Sequence, residues 1–137
     1  MMSKFRVLMV DDEPDFLETV VDRLKMRGLD VEGVESGEKA LEVLDQNPVD
    51  VVILDVKMPG MDGVMTLREI KKRWPLTEVI MLTGHASVES GIEGMKLGAH
   101  DYIMKPADLD ELMDKMKKAY EVKAMHEEKI GRASVQS

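Results

Sequence analysis

Four nearly unbroken apolar runs, Phe5 to Val10, Val51 to Leu54, Val79 to Leu82 and Tyr102 to Met104, recur along the chain, with a further strand read at Val31 to Val34. Val, Ile and Leu runs without polar alternation are what strands look like when helices cover both faces of a parallel sheet. Helical patterns fill the stretches between them, so the chain is predicted to be α/β, with five strands and five helices. In open sheets of this kind ligands bind just beyond the carboxyl ends of the strands. Each of the four apolar runs ends on a polar signal: Asp11-Asp12, Asp55, Thr83 and Lys105-Pro106. These four signals are expected to meet in one cleft.

The helices carry their own boundaries. Pro14 is placed to open the first, whose Phe16, Leu17, Val20, Val21 and Leu24 share one face before Gly28 stops it. The second follows Ser36, turns Ala40, Leu41 and Leu44 inward and stops at Asn47-Pro48. Asp62 is expected to cap the third, which carries Val64, Leu67 and Ile70 and runs to Trp74-Pro75. The fourth, about Ser87 to Leu97, contains Gly91 and Gly94; each glycine costs on the order of 1 kcal/mol against alanine, so this is the helix expected to be least stable. In the last, Asp108 and Glu111 have capping-box spacing and Leu109, Leu112, Met113, Met116 and Tyr120 form a stripe. It is expected to fade between about Lys123 and Lys129 and to leave Gly131 to Ser137 as a frayed end.

A chain of 137 residues is expected to form one domain with a single core and to fold without metal or disulfide. No apolar stretch approaches the ~18 residues of a membrane helix, the start Met-Met-Ser-Lys-Phe-Arg has no signal-peptide character, and a cytoplasmic protein is expected. The absence of cysteine excludes disulfides and thiolate metal sites. With 27 acidic against 19 basic residues the formal charge is −8, which repels a phosphate backbone, so direct nucleic-acid binding is not expected. The 13 methionines are expected mostly to fill gaps in the core.

If the first and third strands are neighbours, Asp11, Asp12 and Asp55 crowd together. At ~4 Å and an effective dielectric of ~20 each like-charge pair costs about 4 kcal/mol before relaxation. A cation must offset that cost. Oxygen ligands with retained water suit Mg²⁺, with Mn²⁺ as a possible substitute, and three carboxylates against Mg²⁺ and the Lys105 ammonium sum to zero. A carboxylate beside a hard cation, a lysine and a hydroxyl is equipped for phosphoryl transfer, which depends on positioning and charge neutralisation. Asp55 is the candidate nucleophile, with Lys105 and Thr83 placed to bind phosphoryl oxygens. Taken singly, each residue reads more simply as a cap, a turn residue or a solvated lysine. The constellation at four strand ends is what carries the reading.

At these residues the sequence resembles the receiver domain of bacterial two-component response regulators, over about Lys4 to Tyr120. The matching motifs are Val-Asp-Asp-Glu (10 to 13), Leu-Asp-Val-Lys-Met-Pro-Gly-Met-Asp-Gly (54 to 63), Leu-Thr-Gly (82 to 84) and Gly-Ala-His-Asp-Tyr-Ile-Met-Lys-Pro (98 to 106). The resemblance implies a doubly wound, flavodoxin-like (βα)₅ parallel sheet of strand order 2-1-3-4-5. It implies that Asp55 accepts a phosphoryl group from a sensor histidine kinase or phosphotransfer protein. It also implies metal ligation by Asp12, Asp55 and the Lys57 carbonyl with Asp11 through water, a cis peptide at Lys105-Pro106, and a switch in which Thr83 moves and Tyr102 turns inward. The expected output surface is the fourth helix, fifth strand and fifth helix. Lys57 and His85 lie where attacking water would approach and are candidates for tuning phosphoryl lifetime.

On this reading residues 4–122 form the receiver and 123–137 a helical extension with a disordered tail. Its output is a separate protein target or a covalently linked domain, and phosphorylation-dependent dimerisation is possible. The extension resembles the linker that follows receivers in multidomain transcription activators. The expected role is a signalling switch with self-catalysed phosphotransfer and dephosphorylation, not a turnover enzyme. A haloacid-dehalogenase-type hydrolase also uses an aspartyl phosphate, but that family needs an Asp two residues after the nucleophile, where this chain has Lys57. No glycine-rich nucleotide loop follows the first strand.

Overall fold

The computed structural model describes residues 5–58, 60–84 and 88–136. Strands β1 (Arg6–Val10), β2 (Asp30–Val34), β3 (Val51–Asp55), β4 (Glu78–Thr83) and β5 (Asp101–Met104) alternate with helices α1 (Pro14–Met26), α2 (Gly37–Gln46), α3 (Gly63–Arg73), α4 (Val88–Lys96) and α5 (Leu109–Gln136). The strands form one parallel sheet in the order β2-β1-β3-β4-β5, the flavodoxin-like arrangement expected. Strand order reverses between β1 and β3, and a crevice opens there at the carboxyl edge.

Alternation along the strands divides the expected single core into two clusters, one on each face of the sheet. Val7, Met9, Val51, Ile53, Ile80, Leu82 and Ile103 meet α1 and α5 through Leu17, Leu24, Leu112 and Met116. Leu8, Val10, Val52, Leu54, Val79 and Met81 meet α2 and α3 through Ala40, Leu44, Leu67 and Ile70. Both faces of β3 and β4 are covered, so every residue of those strands is buried, including Asp55 and Thr83. β5 departs from the expected buried run. It lies at the sheet edge with a neighbour on one side only; Ile103 is buried, while Tyr102 remains 37% exposed.

The caps follow the sequence. Ser36 Oγ accepts from Lys39 N–H at 3.2 Å, Asp62 Oδ1 from Met65 N–H at 2.9 Å and Asp108 Oδ2 from Glu111 N–H at 3.3 Å. Gly63 lies where α3 starts directly over the end of β3, and a Cβ there would overlap the Asp55 carbonyl oxygen. Gly94, a cost to α4 by propensity, lets that helix approach β4: a Cβ would stand 3.0 Å from Met81 Cγ.

Two expectations need correction. α5 does not fade between Lys123 and Lys129 but runs to Gln136. No proline interrupts it, the Phe5 and Tyr120 rings stack at 4.9 Å, and Lys123 anchors the next turn on Asp50 at 2.9 Å. The methionines fill the core only in part: among the described ones Met9, Met58, Met81 and Met116 are buried and Met61, Met104 and Met113 half-buried, while Met26, Met65, Met95 and Met125 are exposed.

Candidate functional site

The site assembles where β1 and β3 end side by side, with Val10 opposite Leu54. Asp11 follows β1; its N–H donates to the Val34 carbonyl at 3.1 Å, and its Oδ1 accepts from Glu13 N–H at 2.9 Å, a tight turn that starts α1. Asp55 is the last residue of β3. One carboxylate oxygen from each of Asp11, Asp12 and Asp55 lies within 4.8 Å of the others. Beside them is an open depression of about 510 Å³, lined by Asp12, Lys57, Met58, Asp62 and Ser90 among others.

Lys105 follows β5, joined to Pro106 by a cis peptide bond, and its N–H donates to the Thr83 carbonyl at 2.6 Å. The ammonium lies 2.9 Å from Asp11 Oδ2, 3.1 Å from Glu13 Oε1 and 3.7 Å from Asp55 Oδ1. It also sits 4.6 Å above the centroid of the Phe16 ring. Thr83 is fully buried, and its hydroxyl donates to Met104 Sδ at 3.5 Å across the β4–β5 pair. Lys57 is exposed on its side chain, and its backbone N–H pulls the Asp55 carboxyl downward. His85 lies outside the described residues.

The electrostatics are under-compensated. Burial first, and the Asp11 charge second, push the Asp55 carboxyl up to about 7, against the pull of Lys105. Burial also raises Asp11, whose Oδ2 has the Lys105 ammonium as its compensating charge and no further donor among the described residues. For Lys105 burial works downward, but contact with Asp11, then Asp55 and Glu13, leaves it raised. A site in which Asp11 and Asp55 resist ionisation while all its donors are oxygens fits a hard divalent cation.

Glu13 and Phe16 are what the sequence reading missed. By its spacing Phe16 belongs to the α1 core face, and Glu13 enters the sequence reading only within Val-Asp-Asp-Glu, with no role of its own. The available signal was capping chemistry. Glu13 occupies the N-cap of α1, where Ser, Thr, Asp or Asn are favoured, and makes no cap hydrogen bond with its side chain. With Glu13 included, the local sum with a divalent cation and Lys105 is −1, not the zero expected from three carboxylates. The loop after β3 has an equally unsignalled support: Glu38 Oε1, on α2, accepts from Met61 N–H at 3.0 Å.

Comparison with known proteins points one way. Residues 7–117 match the family model described as the response regulator receiver domain. An NtrX-like response regulator of Rickettsia bellii is 40% identical over 131 residues, covering 94% of this chain and 27% of that protein. The regulatory protein AtoC of Escherichia coli is 35% identical over 90% of this chain and 27% of its own length. The chain thus spans about a quarter of these curated relatives. Among solved structures, a response regulator receiver domain protein from Clostridium thermocellum superposes with a TM-score of 0.85 at 36% identity, covering 88% of this chain and 98% of that one. The receiver domain of NtrX from Brucella abortus gives 0.80 at 32% identity, covering 84% and 98%.

Proposed function

Because the chain belongs to the response regulator receiver domain family, a family of two-component signalling domains, we propose that Asp55 is its phosphoacceptor. The observation that carries this is the convergence of Asp11, Asp12 and Asp55 within 4.8 Å, with the Lys105 ammonium 3.7 Å from Asp55. The donor is a phosphohistidine on a sensor kinase or phosphotransfer protein. An Asp55 oxygen attacks phosphorus as the P–N bond breaks, and the bonding pair leaves with the imidazole, which takes up a proton. Charge passes from one carboxylate to about two negative charges on the phosphoryl group. Lys105 binds a phosphoryl oxygen, and Thr83 turns its hydroxyl from Met104 toward another.

Mg²⁺, or Mn²⁺ in its place, would be held by Asp12, Asp55 and the Lys57 carbonyl with Asp11 through water, and would supply the positive charge that Lys105 alone does not. The cis Lys105-Pro106 bond belongs to the loop that presents Lys105 to the site. Slow self-catalysed hydrolysis completes the cycle, and Lys57 and His85 tune its rate. The switch passes from Thr83 to Tyr102, which turns inward and remodels the surface of α4, β5 and α5. That surface addresses a separate target or a linked output domain, or forms a phosphorylation-dependent dimer. Residues 4–122 act as the receiver and 123–137 as its extension.

Phosphoramidate, a small donor with a P–N bond, tests the assignment in the presence of Mg²⁺. A gain of one phosphoryl group by intact mass in the wild type, absent in Asp55→Asn, is expected. An equal gain in both proteins would remove Asp55 from the role. Amide exchange with beryllofluoride should change in α4, β5 and α5; unchanged exchange there would remove that surface from the switch.

A further inference from the structure

Lys105 is held by more than the aspartates. Glu13 Oε1 stands 3.1 Å from its ammonium, closer than Asp55 Oδ1 at 3.7 Å, and Phe16 supports the same ammonium through its ring face at 4.6 Å. Both come from the start of α1, where Pro14 fixes the backbone and the turn at Asp11 sets the direction of Glu13. The Glu13 side chain forgoes capping its own helix to make this contact. Its carboxylate is largely exposed while the Lys105 side chain is mostly buried, so Glu13 can leave the pair for water more easily than Lys105 can.

We propose that Glu13 is a positioning residue that competes with the incoming phosphoryl group for Lys105 and so weakens phosphoryl binding at Asp55. The proposal rests on Asp55 as the acceptor and adds a regulator to that same site. Phosphoryl oxygens arriving at Asp55 must draw the ammonium from Glu13, and they bring negative charge toward a carboxylate that already carries one. Both effects act in one direction: the phosphorylated state is held less tightly than Asp11, Asp55 and Lys105 alone would hold it. Toward a divalent cation Glu13 acts oppositely, because its charge adds to the attraction of the acidic cluster.

Opposite signs make the test specific. Beryllofluoride, at saturating Mg²⁺, is titrated by fluorine NMR into the wild type, Glu13→Gln and Glu13→Ala, and Mg²⁺ alone is titrated by calorimetry. Both variants are expected to bind beryllofluoride roughly two- to fivefold more tightly, the range an exposed ion pair allows, and Mg²⁺ slightly more weakly. In a Lys105→Ala background the Glu13→Gln gain should vanish. Beryllofluoride affinity unchanged or weakened in both variants, or a gain that survives without Lys105, overturns the proposal. If the wild type itself binds no beryllofluoride, the assignment of Asp55 fails first, a result separable from failure of the Glu13 role.

Discussion

The Asp55 carboxyl, raised to about 7 by burial and the Asp11 charge, titrates near 3.8 in an unfolded chain. Below that lower value both states hold the proton and the residue contributes nothing to the pH dependence. Between the two values only the folded state holds it, and above about 7 the folded protein bears the full cost of a crowded, ionised carboxylate. Stability of the metal-free protein should therefore fall as pH rises from about 4 to about 7. Melting curves in chelator should show this fall, and Asp55→Asn should remove most of it. At pH near 8 the variant should exceed the wild type by more than ~1 kcal/mol, since one pKa unit is worth about 1.4 kcal/mol. A less stable variant there, or an unchanged pH slope, would contradict the charge accounting. At this scale Asp11, Asp12, Asp55 and Lys105 were legible because each ends an apolar run. Glu13 and Phe16 were not, because their partner is 92 residues away along the chain for Glu13 and only the sheet order brings it near.

Elements fix how closely those residues can meet. α3 begins over the last residue of β3, and Gly63 has no room for a side chain against the Asp55 carbonyl. Gly63→Ala should cost roughly 1–3 kcal/mol in denaturant unfolding, the range of overpacked sites, whereas Gly131→Ala, with open space around it, should cost nothing. Equal effects would mean that the close approach is not what Gly63 serves. Lys123 supports α5 beyond the sheet by pairing with Asp50, whose other oxygen accepts from Arg6 N–H at 2.8 Å. Lys123→Ala should destabilise by about 1–3 kcal/mol and speed amide exchange after Tyr120. Exchange unchanged in that segment would show that α5 holds without this anchor. Strands and caps were legible because burial on both faces and the chemistry of Ser36, Asp62 and Asp108 leave local marks. The length of α5 was not, because its support comes from Phe5 and Asp50, residues far from it along the chain.

For the molecule as a whole, the parallel sheet brings acidic groups from two strand ends and an ammonium from a third to the one edge where strand order reverses. The apolar runs sufficed to predict that meeting. They could not predict that Thr83 faces Met104, which depends on side-chain direction at β5, whereas the exposure of Tyr102 agrees with the exposed starting state that the family resemblance implies. The central claim is that Asp12 and Asp55 share one divalent cation. Calorimetric titration of Mg²⁺ at pH near 8, on the wild type, Asp12→Asn and Asp55→Asn, tests it most directly. One ion per chain is predicted for the wild type, with affinity at least ~10-fold lower in each variant, the usual loss when a metal's supporting groups are changed. No binding by the wild type, or equal binding by all three proteins, would contradict the account.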